Sequence, residues 1–384
     1  MADVKQREVR GMADSLASDI KPKAYRPRIV DEWQLAPAIW DEVRHRVDDD
    51  SANKGQWILT GSSTPLNENR PNHSGAGRIG RIRMNPLTLY ESGLSTGAVS
   101  LSGLFEHKFA AAKSEISTQM LLDAVCRGGW PEAVALPVSD AQILIREYMR
   151  LTLTESVPRQ GKDPDVARRL LDSLARNISQ AVTFKTLRKD MYGTEENLDD
   201  FISERTVSGY TAMFENMFVI DPIKGWVPPA RDPKRLQTKA RRYFADPSIA
   251  AAMLGMSPAA LIGDWQTFGF LFENLCIRDL LVYARSLLDI GIEPVRYYRD
   301  DSGLECDAII ELSDGRWGGI EIKSSEDKVP EASANLCRLK DKLLRNPSAR
   351  TREPEFLAVL VGVDEFAYQR DDGVYVIPVG VLGA

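Results

Sequence analysis

Four apolar segments in the last third of the chain, residues 294–299, 304–312, Trp317–Lys323 and Phe356–Val361, have the side-chain alternation of strands. Ahead of them, the stretch from Asp264 sets Phe268, Leu271, Phe272 and Leu275 on one helical stripe, with Glu273 on its flank. Strands that follow a helix in this way need its apolar stripe as cover, so the segment is limited to a helix-on-sheet α/β unit. Asp246 and Pro247 predict a further helix up to Gly255, with Asp as cap, Pro in the first turn and Gly as terminator.

The strands of this unit carry the residues most suited to chemistry. Successive strand side chains face opposite ways, so Glu321 and Lys323 point to one side while Ile320 and Ile322 point to the other. If the strand bearing Glu305 and Asp307 lies alongside, Asp307 and Glu321 would share a Mg²⁺, and Lys323 would orient or deprotonate water for phosphodiester hydrolysis. The set resembles the PD-(D/E)xK nuclease core, which implies a restriction-endonuclease-like fold for residues 236–384. In that resemblance Glu273 matches the helix-borne acid and a further metal ligand.

Residues 101–235 change to a helical period, with stripes over 116–128, 142–155 and 165–176. Shorter helices are expected over 183–188, 197–202 and 203–210, and Val219 and Ile220 begin a strand followed by Lys224, Gly225 and Trp226. Helix, turn, helix and short strand form a winged-helix-like outline, which either serves only for packing between domains or presents Arg205, Thr206 and Ser208 to DNA. A basic cluster follows, containing Arg231, Lys234, Arg235, Lys239, Arg241 and Arg242. It reads equally as a solvated connection or as a surface that tracks phosphates, with Lys234, Arg235 and Lys239 as the nucleic-acid contacts.

In residues 1–100, short apolar runs alternate with turns, as in an α/β layer. Ile29 and Val30 end one strand at Asp31 and Glu32; a helix is expected over 35–44, and a second strand over 57–60 leads into Gly61, Ser62 and Ser63. Together with Gly75, Gly77, Arg78, Gly80, Arg81 and Arg83, these segments resemble, in order and spacing, the prokaryotic AAA-type (P-loop) ATPases that carry a carboxyl-terminal domain of unknown function. The resemblance implies a partial AAA-type parallel sheet in which Asp31 ligates Mg²⁺, Glu32 is the base and Thr60 or Ser62 is the sensor for ATP. Arg78 and Arg81 would be the charge-stabilising finger, and a homo-oligomer is implied because such relatives pair a site with a neighbour's arginine. The same relatives have equivalents of the Arg127-Gly128-Gly129-Trp130-Pro131-Glu132-Ala133 and Arg241-to-Pro247 runs.

The chain departs from that family at the phosphate loop. No G-x-x-x-x-G-K-[ST] run precedes Asp31, and residues 12–17 read as a helix without a Gly-rich turn. The start is therefore expected to lie upstream, or the domain to be a remnant.

Other function classes find little footing. The chain has 384 residues, 43% hydrophobic, with a formal net charge of −6, which argues against a strongly basic nucleic-acid sleeve. Its four cysteines lack metal spacing and read as buried thiols, and its three histidines have no nucleophile elbow beside them. No apolar run approaches the length of a membrane span, so a cytoplasmic protein without a membrane partner is expected. A chain of this sequence should not turn over ATP unaided. Metal-dependent hydrolysis by the wild type that disappears in an Asp31→Ala, Glu32→Ala double variant would overturn this.

Overall fold

The computed structural model describes residues 27–33, 36, 38–61, 75–193, 202–228, 238–347 and 349–384. The expected helix over 12–17, Leu35 and Pro37 of the helix expected over 35–44, Ser62, most of the expected helix over 197–202, Arg231, Lys234 and Arg235 lie outside them. The chain forms two compact units: one of residues up to Met84 with Asn216–Phe218, and one of Asn85–Glu215 with Val219–Ala384.

In the first unit, β1 (Arg28–Val30) and β2 (Trp57–Leu59) pair in parallel with Ile29 opposite Ile58. Parallel neighbours need a crossover. It contains α1 (Ala38–Asp49), which buries Ile39, Trp40 and Val43 and sets the Trp40 ring 4.7 Å from that of Trp33.

The second unit begins with helices: α2 (Thr118–Arg127), α3 (Val138–Leu151), α4 (Pro164–Arg176), α5 (Phe184–Tyr192) and α6 (Glu204–Asn216). Ser117, Asp163 and Thr183 cap α2, α4 and α5 by accepting from first-turn N–H groups. The stripe expected over 142–155 starts earlier, at Val138, and passes into a π-helical turn at Thr152–Ser156. Strands β3 (Ile220–Ile223) and β4 (Arg241–Phe244) then pair antiparallel, with Ile223 opposite Arg241. Next come α7 (Pro247–Met253), capped by Asp246, and α8 (Trp265–Arg285), capped by Asp264, as the sequence predicts.

The strands after α8 are β5 (Arg296–Arg299), β6 (Glu305–Glu311), β7 (Trp317–Lys323) and β8 (Phe356–Val361). β5, β6 and β7 form an antiparallel meander, and β8 lies parallel to β7. A helix not expected from the sequence, α9 (Val329–Arg345), makes the crossover between β7 and β8. Its Val329, Ala332, Leu336, Leu339 and Leu343 pack on Trp317, Leu357, Val359 and Val361. Two further strands, β9 (Phe366–Gln369) and β10 (Tyr375–Pro378), extend the sheet beyond β8, and Ala112–Lys113 lies at its far edge.

One buried network ties α8 to three distant segments. The guanidinium of Arg278, 4% exposed, lies 2.7 Å from Asp246 and 2.7 Å from Asp279. Asp246 also accepts the Gly129 N–H at 2.9 Å, and Asp279 accepts the Leu89 N–H at 2.9 Å. A Cβ on Gly128 would stand 2.4 Å from Asp246 Oδ1, and one on Gly129 2.0 Å from the Leu87 carbonyl oxygen. The glycine pair of the Arg127-to-Ala133 run is thus a close-approach device. Arg278→Met leaves two buried carboxylates uncompensated and should cost about 3–5 kcal/mol. An unchanged urea midpoint would refute this account of the network.

Candidate functional site

At the end of the β1–β2 pair, Thr60 Oγ1 donates to Asp31 Oδ1, which also accepts the Glu32 N–H at 3.1 Å. The backbone sets this up: Thr60 N–H donates to Val30 O at 2.9 Å and Trp33 N–H to Thr60 O at 3.1 Å. Glu32 takes the left-handed conformation, with φ 51°. Asp31, Glu32 and Thr60 are therefore neighbours. The expected finger arginines have other partners: Arg78 is paired with Asp48, and Arg81 lies over the Trp40 ring at 5.9 Å.

The second centre is assembled from four elements. β4 supplies Arg241 and Tyr243 from one face, α8 supplies Glu273, β6 supplies Glu305 and Asp307, and β7 supplies Glu321 and Lys323. β4 is held in register along α8 by Asn274, whose side chain accepts the Phe244 N–H and donates to the Phe244 carbonyl, both at 2.9 Å. That register delivers Arg241 to the carboxylates.

Lys323 Nζ lies 2.6 Å from Glu321 Oε2 and 3.7 Å from Asp307 Oδ2, the contact expected from two residues on one face of β7. Arg241 lies 3.2 Å from Asp307, 3.5 Å from Glu273 and 2.5 Å from Glu305. Tyr243 OH donates to Glu273 Oε1 at 2.6 Å, and the Ile322 N–H donates to Asp307 Oδ2 at 2.9 Å. The expectation of Arg241 in a solvated or phosphate-facing cluster is corrected by this placement: it is 4% exposed. A guanidinium drawn out of water is retained where several carboxylates surround it. Its signal was the alternation Arg241-Arg242-Tyr243-Phe244 just before the Asp246 cap, a strand in which Arg241 and Tyr243 share a face.

The charges are unequally distributed. Burial, then the nearby Asp307 carboxylate, pushes Glu273 up to about 8, and the same two causes push Glu321 up to about 8. Burial acts to raise Asp307 too, but Lys323 and Arg241 hold it below the ordinary aspartate value. For Lys323, burial opposes the charge and is outweighed by Asp307 and Glu321, which hold its ammonium above the ordinary lysine value.

The shared Mg²⁺ expected at Asp307, Glu321 and Glu273 needs hard oxygen donors turned toward one point. Among the described residues, no group of three His, Cys, Asp or Glu side chains is arranged to hold a metal ion. As arranged, these carboxyls fit a guanidinium and an ammonium, and they do not fit a bare cation. Arg205 and Lys239 are exposed and outside this cluster. Of the cysteines, Cys126, Cys276 and Cys306 are buried as expected, whereas Cys337 is half-buried. Among the described residues no helix is long and apolar enough to cross a membrane.

Three family models match the chain. Residues 3–93 match one described as AAA domain, residues 118–260 one described as Domain of unknown function (DUF8612), and residues 268–382 one described as Domain of unknown function (DUF4143). No curated protein and no solved structure matches. The first match supports an AAA-type ATPase-like amino-terminal segment in a mixed α/β chain. Arg241 and Tyr243 fall in the second matched segment and the four acids in the third, so the cluster joins the two.

The raised carboxyls imply a pH dependence. A carboxyl whose folded value of about 8 exceeds its unfolded value near 4.5 adds stability below the unfolded value, and this is lost as pH rises through the folded one. Glu321→Gln mimics the protonated form. Its melting temperature relative to wild type should therefore climb between about pH 5 and about pH 9; a flat difference would contradict the raised value.

Proposed function

We propose that this chain is a nucleic-acid-binding protein of AAA-type ancestry whose nuclease-like centre does not hydrolyse phosphodiesters. One observation carries the reading: both cations of the cluster are engaged by its own carboxyls, Arg241 with Glu273, Glu305 and Asp307, and Lys323 with Glu321 and Asp307. Hydrolysis would need a group able to take a proton from water and positive charge free to meet the developing phosphorane. Lys323 is taken up by Glu321 and Asp307 and Arg241 by Glu273, Glu305 and Asp307, while burial raises Glu273 and Glu321 above the ordinary carboxylate range, so this arrangement favours neither role. The amino-terminal centre adds Asp31, Glu32 and Thr60, a fragment of the Mg²⁺ and ATP machinery that the family resemblance implies.

Support for nucleic acid comes from the order α5, α6 and the β3–β4 hairpin, the winged-helix-like outline, with exposed Arg205 on α6 and exposed Lys239 just before β4. Duplex DNA should bind with a salt-dependent affinity. Replacing Lys234, Arg235 and Lys239 by alanine should flatten the plot of log affinity against log salt by roughly 0.9 for each phosphate no longer neutralised. An unchanged slope would remove these residues from the interface.

A metal-dependent phosphodiesterase is the second reading, favoured by the meeting of Glu273, Asp307, Glu321 and Lys323 on adjoining elements. Supercoiled plasmid incubated with Mg²⁺ or Mn²⁺ separates the two. The proposal expects wild type, Asp307→Asn and Lys323→Met to be equally inert, and nicking by wild type that both variants abolish would establish the second reading instead.

A further inference from the structure

We infer that Arg241 is the resident cation of the acidic cluster, and that its guanidinium and a divalent metal ion compete for the same carboxylates. The inference rests on the non-hydrolytic reading above and names the residue that enforces it.

The guanidinium is held as a fixed component. Three carboxylates meet it at 3.5, 2.5 and 3.2 Å, from Glu273, Glu305 and Asp307. The Tyr297 ring lies 4.6 Å from its central carbon, limiting the plane in which it can sit. Tyr243, two residues along β4, fixes Glu273 by a 2.6 Å hydrogen bond, so one strand both delivers the cation and aims a carboxyl at it. The Asn274 amide then prevents β4 from sliding along α8.

The origin of the two sides matters. The acids come from α8, β6 and β7, whereas Arg241 belongs to the β3–β4 hairpin that follows the paired helices α5 and α6. The cation is thus supplied by a different part of the chain from the carboxyls that need it. With Arg241 shortened, Lys323 still faces Asp307 and Glu321 and Arg299 still faces Glu305, while Asp307 and Glu273 lose the charge that Arg241 supplied. Buried carboxylates short of positive charge bind a hard dication strongly, since oxygen donors and charge count set affinity for Mg²⁺ and Mn²⁺. Linkage runs both ways: what disfavours the docked guanidinium favours the ion, by the same free energy.

The test uses the full chain and Mn²⁺ alone, followed by the electron paramagnetic resonance of free Mn²⁺ and by thermal melting. Wild type should bind Mn²⁺ at this cluster at least about tenfold more weakly than Arg241→Gln and Arg241→Met, a gap of about 1.4 kcal/mol. Adding Asp307→Asn to either variant should abolish the gained site. Mn²⁺ should raise the melting temperature of both single variants and leave that of wild type in place. The inference is overturned if wild type binds Mn²⁺ as tightly as the variants and loses it on Asp307→Asn alone. It is equally overturned if the variants bind none, or remain unfolded when Mn²⁺ is supplied. Plasmid nicking by wild type would strike the non-hydrolytic reading and leave the Mn²⁺ comparison standing.

Discussion

A guanidinium withdrawn from water has to be met by carboxylates, and the long helix α8 lies against two of them. Arg278, on α8 itself, draws Asp246 and Asp279 to within 2.7 Å. Its loss would leave charge in a place with no solvent to receive it, which makes the pairing obligatory once the segments have come together. Through Asp246 the network holds the cap of α7 and the Gly128–Gly129 turn, and through Asp279 it holds the backbone at Leu89. Residues far apart in the chain share one set of charges.

That arrangement places the acidic cluster. Asp246 ends the segment that begins with β4, and Asn274 binds the backbone of Phe244 on both sides, so β4 has a single register against α8. Arg241 and Tyr243 then face Glu273, which lies next to Asn274 in the sequence. The sheet completes the centre: β6 and β7 are antiparallel neighbours with Ala308 opposite Ile320, which brings Asp307 beside Glu321. One buried arginine organises the frame and the other neutralises what the frame brings together.

Much of this frame is readable from residue patterns. Asp246 and Asp264 signal their helices because a side-chain acceptor before an apolar stripe satisfies N–H groups that nothing else can reach. Trp317–Lys323 and Phe356–Val361 match their strands because alternation and apolar content persist whatever the neighbours are. The helix α9 is missed although Val329, Ala332, Leu336, Leu339 and Leu343 have helical spacing, and Pro330 suits a first turn. Short strands β9 and β10 carry too few residues for alternation to distinguish them from loop. Arg241 is misread for a different reason: alternation puts it on one face of β4 with Tyr243, but whether that face is buried depends on the carboxyls of α8 and β6 that come to meet it.

The sequence by itself determined the local elements, the shared face of Glu321 and Lys323 and the acid on the flank of α8. Each follows from period, capping or motif, which act over a few residues. Only the tertiary structure decided which cation neutralises those acids, that Arg241 does so in company with Tyr243, and that the glycine pair at 128–129 serves packing around Asp246. Those outcomes depend on desolvation and Coulomb attraction between segments, and both appear only when the chain has closed on itself.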